Sequence, residues 1–194
     1  MATKNQPFLS DIQTIRKRAR EQMHKGAITD SYKADRKTVL KLLNEALATE
    51  IVCVLRYKYH YFMASGINAK SVANEFLEHA NEEQGHADQI SERITQLEGA
   101  PNLSPEGLLT RSHSEYVEGD DLVDMIKENL VAERIAIETY SEMIRYLGND
   151  DPTTRRMMEE ILAMEEEHAE DMNTLLEQLG HKGEPAKPRP AKSR

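Results

Sequence analysis

Two short segments of this 194-residue chain could bind and activate metal: Glu83-x-x-His86 and Glu165-x-x-His168. On a helix, a three-residue step puts both side chains on one face. Each pair therefore offers a carboxylate and an imidazole to the same ligand. Two further glutamates, Glu50 and Glu133, sit alone among apolar residues, and the intervals repeat: 33 residues from Glu50 to Glu83 and 32 from Glu133 to Glu165. Four carboxylates removed from water would repel one another, at a cost on the order of several kcal/mol per uncompensated ion. Two divalent cations would cancel that charge, with two neutral imidazoles completing the donor set. Mixed carboxylate and imidazole ligation suits iron or manganese, with zinc as a substitute without redox chemistry. A single Glu-x-x-His pair on a glutamate-rich helix is commonplace, as the run Glu165, Glu166, Glu167 shows. Two pairs matched by two lone glutamates form a pattern.

Four helices are needed to bring these residues together, and the apolar periodicity predicts them over about Asp35–Ser65, Ser71–Glu98, Asp120–Leu147 and Pro152–Leu179. A shorter helix is predicted near Leu9–Lys25. Steps of three and four residues trace one stripe per long helix: Leu43, Leu47, Glu50, Val54, Tyr57 in the first; Phe76, Ala80, Glu83, Ala87, Ile90 in the second; Ile126, Asn129, Glu133, Ile137, Tyr140 in the third; Met158, Ile161, Glu165, His168, Met172 in the fourth. Each stripe holds one glutamate near the middle of its helix, so antiparallel packing sets all four at one level. Short turns join the first two helices and the last two, which makes each pair antiparallel neighbours. About twenty residues rich in Pro, Gly and Ser, Gly99–Gly119, separate the pairs and are long enough to run the length of a bundle. The fold class is therefore all-α: a ferritin-like up-down four-helix bundle with one long crossover and a short N-terminal helix. Its donor set is the one found in di-iron and di-manganese carboxylate bundles.

The rest of the chain sets bounds on function. The net charge is −9, yet residues 1–37 carry nine Lys/Arg against four Asp/Glu, and residues 181–194 carry five Lys/Arg against one Glu. An acidic body with basic ends attracts cations, and the ends suit contact with polyanions such as DNA, or serve as solubilising tails. No apolar run reaches membrane-spanning length, and residues Met1–Ser10 lack the apolar core of a secretory signal. The single cysteine, Cys53, excludes an intrachain disulfide and fits a reducing, cytoplasmic setting. The expected organisation is an N-terminal basic extension over 1–34, the bundle over 35–180, and a mobile Pro-containing tail over 181–194.

The segments LATEIVCVLRYKYHYFMASG, EFLEHANEEQGHADQISERITQLEGAPNL and MMEEILAMEEEHAEDMNTLL resemble the first, second and fourth helices of bacterioferritins, over roughly residues 38–180. The resemblance implies that Glu50, Glu83, His86, Glu133, Glu165 and His168 are the ligands of a ferroxidase centre holding two irons per subunit. Glu50 and Glu133 would each serve mainly one iron, and Glu83 and Glu165 would bridge both. Tyr57, seven residues after Glu50, matches the family's tyrosine beside the centre. It is read as a hydrogen-bond or electron donor there, or equally as a core tyrosine. Three departures matter. The family's haem-ligating methionine position is Gln84 here, so no haem is expected. The short C-terminal fifth helix is replaced by the basic tail. A basic helix is added at the N-terminus. The last two leave a twelve- or a twenty-four-subunit homo-oligomeric shell open.

The function implied is iron storage and detoxification, with Fe(II) oxidised by O2 or H2O2 inside a hollow shell. Two other readings stand beside it: a DNA-binding protective shell like the starvation-induced DNA-protecting proteins, and a di-iron or di-manganese enzyme that consumes peroxide. No CxxC pairs provide a rubredoxin-like electron-transfer domain, and Cys53 has no base beside it in the sequence, which suits a core residue.

Overall fold

The computed structural model describes residues 10–180 except 22, 24, 25, 27, 67 and 68. The basic tail over 181–194 and the ends of the expected N-terminal helix, Leu9 and Lys25, lie outside the described residues. Within them the chain forms α1 (Ile12–Glu21), α2 (Arg36–Met63), α3 (Ala69–Gln96), α4 (Leu108–Arg111), α5 (Leu122–Leu147) and α6 (Pro152–Gly180). The four long helices make the bundle: α2 packs along α3, α5 along α6, and the two pairs meet through α2 with α5 and α3 with α6. No described helix is long and apolar enough to cross a membrane.

Local chemistry sets the boundaries. Asp35 caps α2 by accepting from the Lys37 amide (3.3 Å) and the Thr38 hydroxyl (2.6 Å). Asp121 does the same for α5, accepting from the Asp124 amide at 2.9 Å. Asp151 precedes Pro152 and accepts from both the amide and the hydroxyl of Thr154, so it caps α6 with proline in the first turn. At the end of α3 the Gly99 amide returns to the Ile94 carbonyl (2.9 Å). A β-carbon on Gly99 would lie 2.4 Å from Leu40 Cδ2, so a larger residue here would push the Leu40 side chain of α2 aside.

The core is split by the carboxylate layer. On one side lie Val39, Leu43, Leu47, Ile90, Ile94 and Met158 with their neighbours. On the other lie Tyr57, Val72, Phe76, Ile126 and Met172. The stripe on α5 is rotated slightly from the predicted one: Ala136 and Met143 are buried, whereas Ile137 of that stripe is half-buried. The crossover contains one short helix, α4, which the apolar pattern did not signal. It is also tied to the bundle. Buried Arg56 donates from Nε to Asn129 Oδ1 (3.0 Å) and from Nη1 to Ser114 Oγ and the Glu115 carbonyl (2.9 Å each). The Thr49 hydroxyl accepts from the His113 amide (3.0 Å), and His60 Nε2 meets the Val117 carbonyl at 3.1 Å. These contacts position α2 against α5 over the turns that carry Glu50, Tyr57 and Glu133.

Candidate metal centre

Helix α2 contributes Glu50 and Tyr57, α3 contributes Glu83 and His86, α5 contributes Glu133, and α6 contributes Glu165 and His168. All are buried, none more than 5% exposed. The structure brings the six acidic and imidazole side chains into two overlapping quartets. Glu50, Glu83, His86 and Glu165 form one, and Glu83, Glu133, Glu165 and His168 form the other; in each, the donor atoms lie within 4.8 Å of one another. Glu83 and Glu165 belong to both. His86 Nδ1 lies 3.3 Å from Glu50 Oε2, 3.3 Å from Glu83 Oε2 and 3.1 Å from Glu165 Oε1. His168 Nδ1 lies 3.6 Å from Glu83 Oε1 and 3.7 Å from Glu165 Oε2.

Two tyrosines cross-link the set. The Tyr57 hydroxyl on α2 donates to Glu133 on α5, and the Tyr140 hydroxyl on α5 donates to Glu50 on α2. Each tyrosine is seven residues after its own helix's glutamate and bonds the glutamate of the other helix, which gives the centre an approximate twofold symmetry.

The electrostatics follow from burial among like charges. Burial, then the charges of Glu83 and Glu165, pushes Glu50 and Glu133 well above the usual carboxylate range. Glu83 goes the other way: burial would raise it, but its hydrogen bonds to Glu50, His168 and His86 outweigh burial and hold it below that range. For the imidazoles burial opposes the charged form, and hydrogen bonds to carboxylates override it. Glu165, Glu50 and Glu83 raise His86, and Glu165 and Glu83 raise His168 to about 11. Burial, then neighbouring carboxylates, also raises Tyr57 and Tyr140, so both phenols stay protonated and act as donors. Cys53, buried beside Arg56, is pushed up by burial and remains a thiol.

The fit to cations rests on atoms left without partners. Glu50 Oε2, Glu83 Oε1, Glu133 Oε2, both oxygens of Glu165 and His168 Nδ1 are buried and make no hydrogen bond of acceptable geometry. Buried acceptors are normally satisfied, and an unpaired one costs about 1–3 kcal/mol. Six such atoms converging on one layer form a donor set for hard or borderline divalent cations. Two of its carboxylates, Glu83 and Glu165, belong to both quartets.

The sequence matches the family model for the ferritin-like domain over residues 40–181. The chain belongs to the ferritin-like family. Within it, the chain is 30% identical over 149 residues to a bacterioferritin of Rhodobacter capsulatus, covering 75% of this chain and 88% of that protein. Among solved structures it superposes with a TM-score of 0.74 and 34% identity on a dodecameric thioferritin, the bacterioferritin-related protein of Bacteroides fragilis, covering 76% of this chain and 89% of that one. The R. capsulatus bacterioferritin structure, described as having a metal-free dinuclear site and a haem iron, gives a TM-score of 0.69 at 27% identity, covering 78% and 90%.

Around the centre of this ferritin-like chain lie residues that the sequence reading did not single out. Tyr140 stood in its predicted stripe without a role, although its seven-residue step from Glu133 repeats the step from Glu50 to Tyr57. His79 and Glu82 lay off the stripe of α3. Glu82 Oε2 meets His168 Nε2 at 2.9 Å, fixing the ring that points Nδ1 inward. His79 stacks on His168, with ring centroids 4.0 Å apart, and its Nδ1 lies 3.2 Å from the Tyr57 hydroxyl.

Proposed function

We propose that the chain is a ferroxidase of an iron-storing, iron-detoxifying shell, with Fe(II) as its substrate. The observation that carries this reading is the buried pair of carboxylate and imidazole quartets sharing Glu83 and Glu165. Glu50 and His86 would hold one Fe(II), Glu133 and His168 the other, and the two shared carboxylates would span both. Manganese or zinc would fit the same donors. O2 or H2O2 takes one electron from each Fe(II), and the protons needed to complete its reduction come from solvent or the site. Tyr57 and Tyr140 orient Glu133 and Glu50 through their hydroxyls, so that each carboxylate turns its free oxygen toward the metal. The Fe(III) product then leaves for a mineral within the shell.

The unit that does this is the bundle over residues 35–180, with 1–34 and 181–194 as extensions. The position after Glu83 is Gln84, which is exposed and donates to Asp88 Oδ1 at 3.0 Å. It supplies no thioether for an axial haem bond, which supports a protein that works without haem. The likeness to the dodecameric thioferritin supports twelve subunits over twenty-four. The ferroxidase reading is tested by adding a large excess of Fe(II) in air and measuring iron in the assembled-protein fraction. Retention far above two irons per chain is expected. Two or fewer would mean a di-metal enzyme without storage, and a peroxide substrate would then be the reading to pursue.

A further inference from the structure

The face between α3 and α6 carries a second group of metal-binding side chains outside the six. Glu75, His79 and Asp171 place one ligand atom each within 4.8 Å of the other two. They line a cavity of about 100 Å³ together with Glu78, Glu82, Glu167 and His168. His79 is the informative member. Its side chain is only 3% exposed, while Glu75 and Asp171 are 36% and 41% exposed. His79 Nε2 lies 3.6 Å from Asp171 Oδ2 and 3.8 Å from Glu75 Oε1, out of hydrogen-bond range of both.

The tautomer of His79 follows from its other nitrogen. The Tyr57 hydroxyl donates to Glu133, and its oxygen is left to accept from His79 Nδ1, 3.2 Å away. The proton therefore sits on Nδ1, and Nε2 presents a bare lone pair to two carboxylates. Three acceptors converge with no donor among them. This is how metal-binding histidines are commonly built, with the distal N–H fixed by a hydrogen bond and the free nitrogen aimed at the ion. The spacings of 3.6 and 3.8 Å lie slightly above the roughly 3.0–3.4 Å between ligand atoms that share a cation at about 2.1 Å, so a small inward movement of the two half-exposed carboxylates closes the site.

We propose that Glu75, His79 and Asp171 form a third divalent-cation site, which stages Fe(II) at the surface of the α3–α6 face for the buried centre. The staging role rests on the ferroxidase reading; the cation site itself does not. Its ligand His79 touches the centre twice, through Tyr57 to Glu133 and by stacking on His168. Glu82 stands between the two sites as an intermediate carboxylate.

The test uses Co(II) as the probe with the full-length protein. Crystals grown with Co(II) and measured at the cobalt edge should show an anomalous peak among the three residues, in addition to those at the centre. Equilibrium dialysis of the double variant Glu75→Gln/Asp171→Asn should find one Co(II) per chain fewer than wild type. Both exposed carboxylates are replaced by isosteres, so the fold is kept. Glu50→Ala, which spares the Tyr57–Glu133 bond, should weaken the centre and keep the staging peak. Peaks at the centre with none among Glu75, His79 and Asp171, or unchanged uptake by the double variant, would overturn the proposal and leave the centre standing. A staging peak with none at the centre would sustain the site and overturn the ferroxidase reading. Staging itself predicts that the double variant raises the Fe(II) concentration for half-maximal oxidation about tenfold, and more than it lowers the maximal rate. An unchanged half-saturation would reduce the site to a cation site with no part in delivery.

Discussion

Two buried polar regions of this bundle contrast in a way that separates folding from function. At one end, Arg93 pairs with Asp151 (2.9 Å) and donates to Thr154 Oγ1 (2.8 Å), while the Tyr32 hydroxyl donates to Asp151 Oδ2 (3.0 Å). Charge meets opposite charge, and the oxygens of Asp151 find donors. In the middle layer, four carboxyl groups face two imidazoles, and six of their buried oxygen and nitrogen atoms make no hydrogen bond. The first region is complete as folded and ties the segment before α2 to the start of α6. The second is left unsatisfied by the chain's own side chains. A region satisfied by its own side chains is architecture; one left short of positive charge is a binding site.

The sharpest way to break this contrast is Glu133→Ala. Rapid Fe(II) oxidation should fall by at least about 100-fold, while circular dichroism of the metal-free protein stays that of the wild type; unchanged oxidation kinetics would remove Glu133 from the centre. Arg93→Ala should do the reverse. It leaves Asp151 buried without its counter-charge, so urea denaturation should show a loss of about 3–5 kcal/mol, with the oxidation rate per folded chain unaltered. Saturating metal sharpens the comparison from the ligand side. A non-oxidising cation such as Zn(II) at 100 times its dissociation constant should stabilise the wild type by about 2.7 kcal/mol for each ion bound. Calorimetry should show most of that shift lost in Glu133→Ala and kept in Arg93→Ala. Tyr57→Phe and Tyr140→Phe each remove one hydroxyl donor to a buried carboxylate. Each should cost about 1 kcal/mol of metal affinity, and equal effects in a titration would support the crossed, twofold arrangement.

The smallest effect is in pH. Asp151 is pushed up by burial but held below the ordinary carboxyl range by its bonds to Thr154 and by Arg93. A depressed folded-state pKa stabilises the fold above the unfolded value of about 3.9, and that stabilisation is lost as pH falls through the lower folded value. Melting temperature should therefore drop more steeply below about pH 4 in the wild type than in Asp151→Asn, and equal slopes would deny Asp151 this role.

The carboxylate layer was unusually legible in the sequence because its glutamates interrupt apolar stripes. A glutamate between Leu47 and Val54, or between Ala80 and Ala87, has no reason to be there unless something inside the bundle needs it. Helix ends were legible through Asp35, Gly99 and Pro152, where capping and backbone freedom are local properties. Illegible were contacts whose partners lie far apart in the chain and carry no periodic signature. Arg56 and Asn129 are 73 residues apart; Arg56 reads alone as a surface residue, and Asn129 stands in its stripe with no sign of its partner. His79 was hidden for a related reason: it flanks the stripe on α3, and its meaning depends on Tyr57 and Asp171 from two other helices. The helix α4 was missed because a single turn leaves too few residues to show a period.

The split of the ligands between the two hairpins has a kinetic consequence. Helices α2 and α3 supply Glu50, Glu83 and His86, and α5 and α6 supply Glu133, Glu165 and His168, so neither hairpin alone offers a full quartet. Each hairpin can form from contacts close in the chain, whereas joining them needs contacts such as Arg56 to Ser114 and Tyr57 to Glu133, 58 and 76 residues apart. Loop-closure entropy places that docking late. Interactions made after the transition state change the unfolding rate and leave the folding rate alone. Bound metal should therefore slow unfolding in a stopped-flow chevron without moving the refolding limb, making the metal-loaded bundle slow to unfold rather than quick to fold.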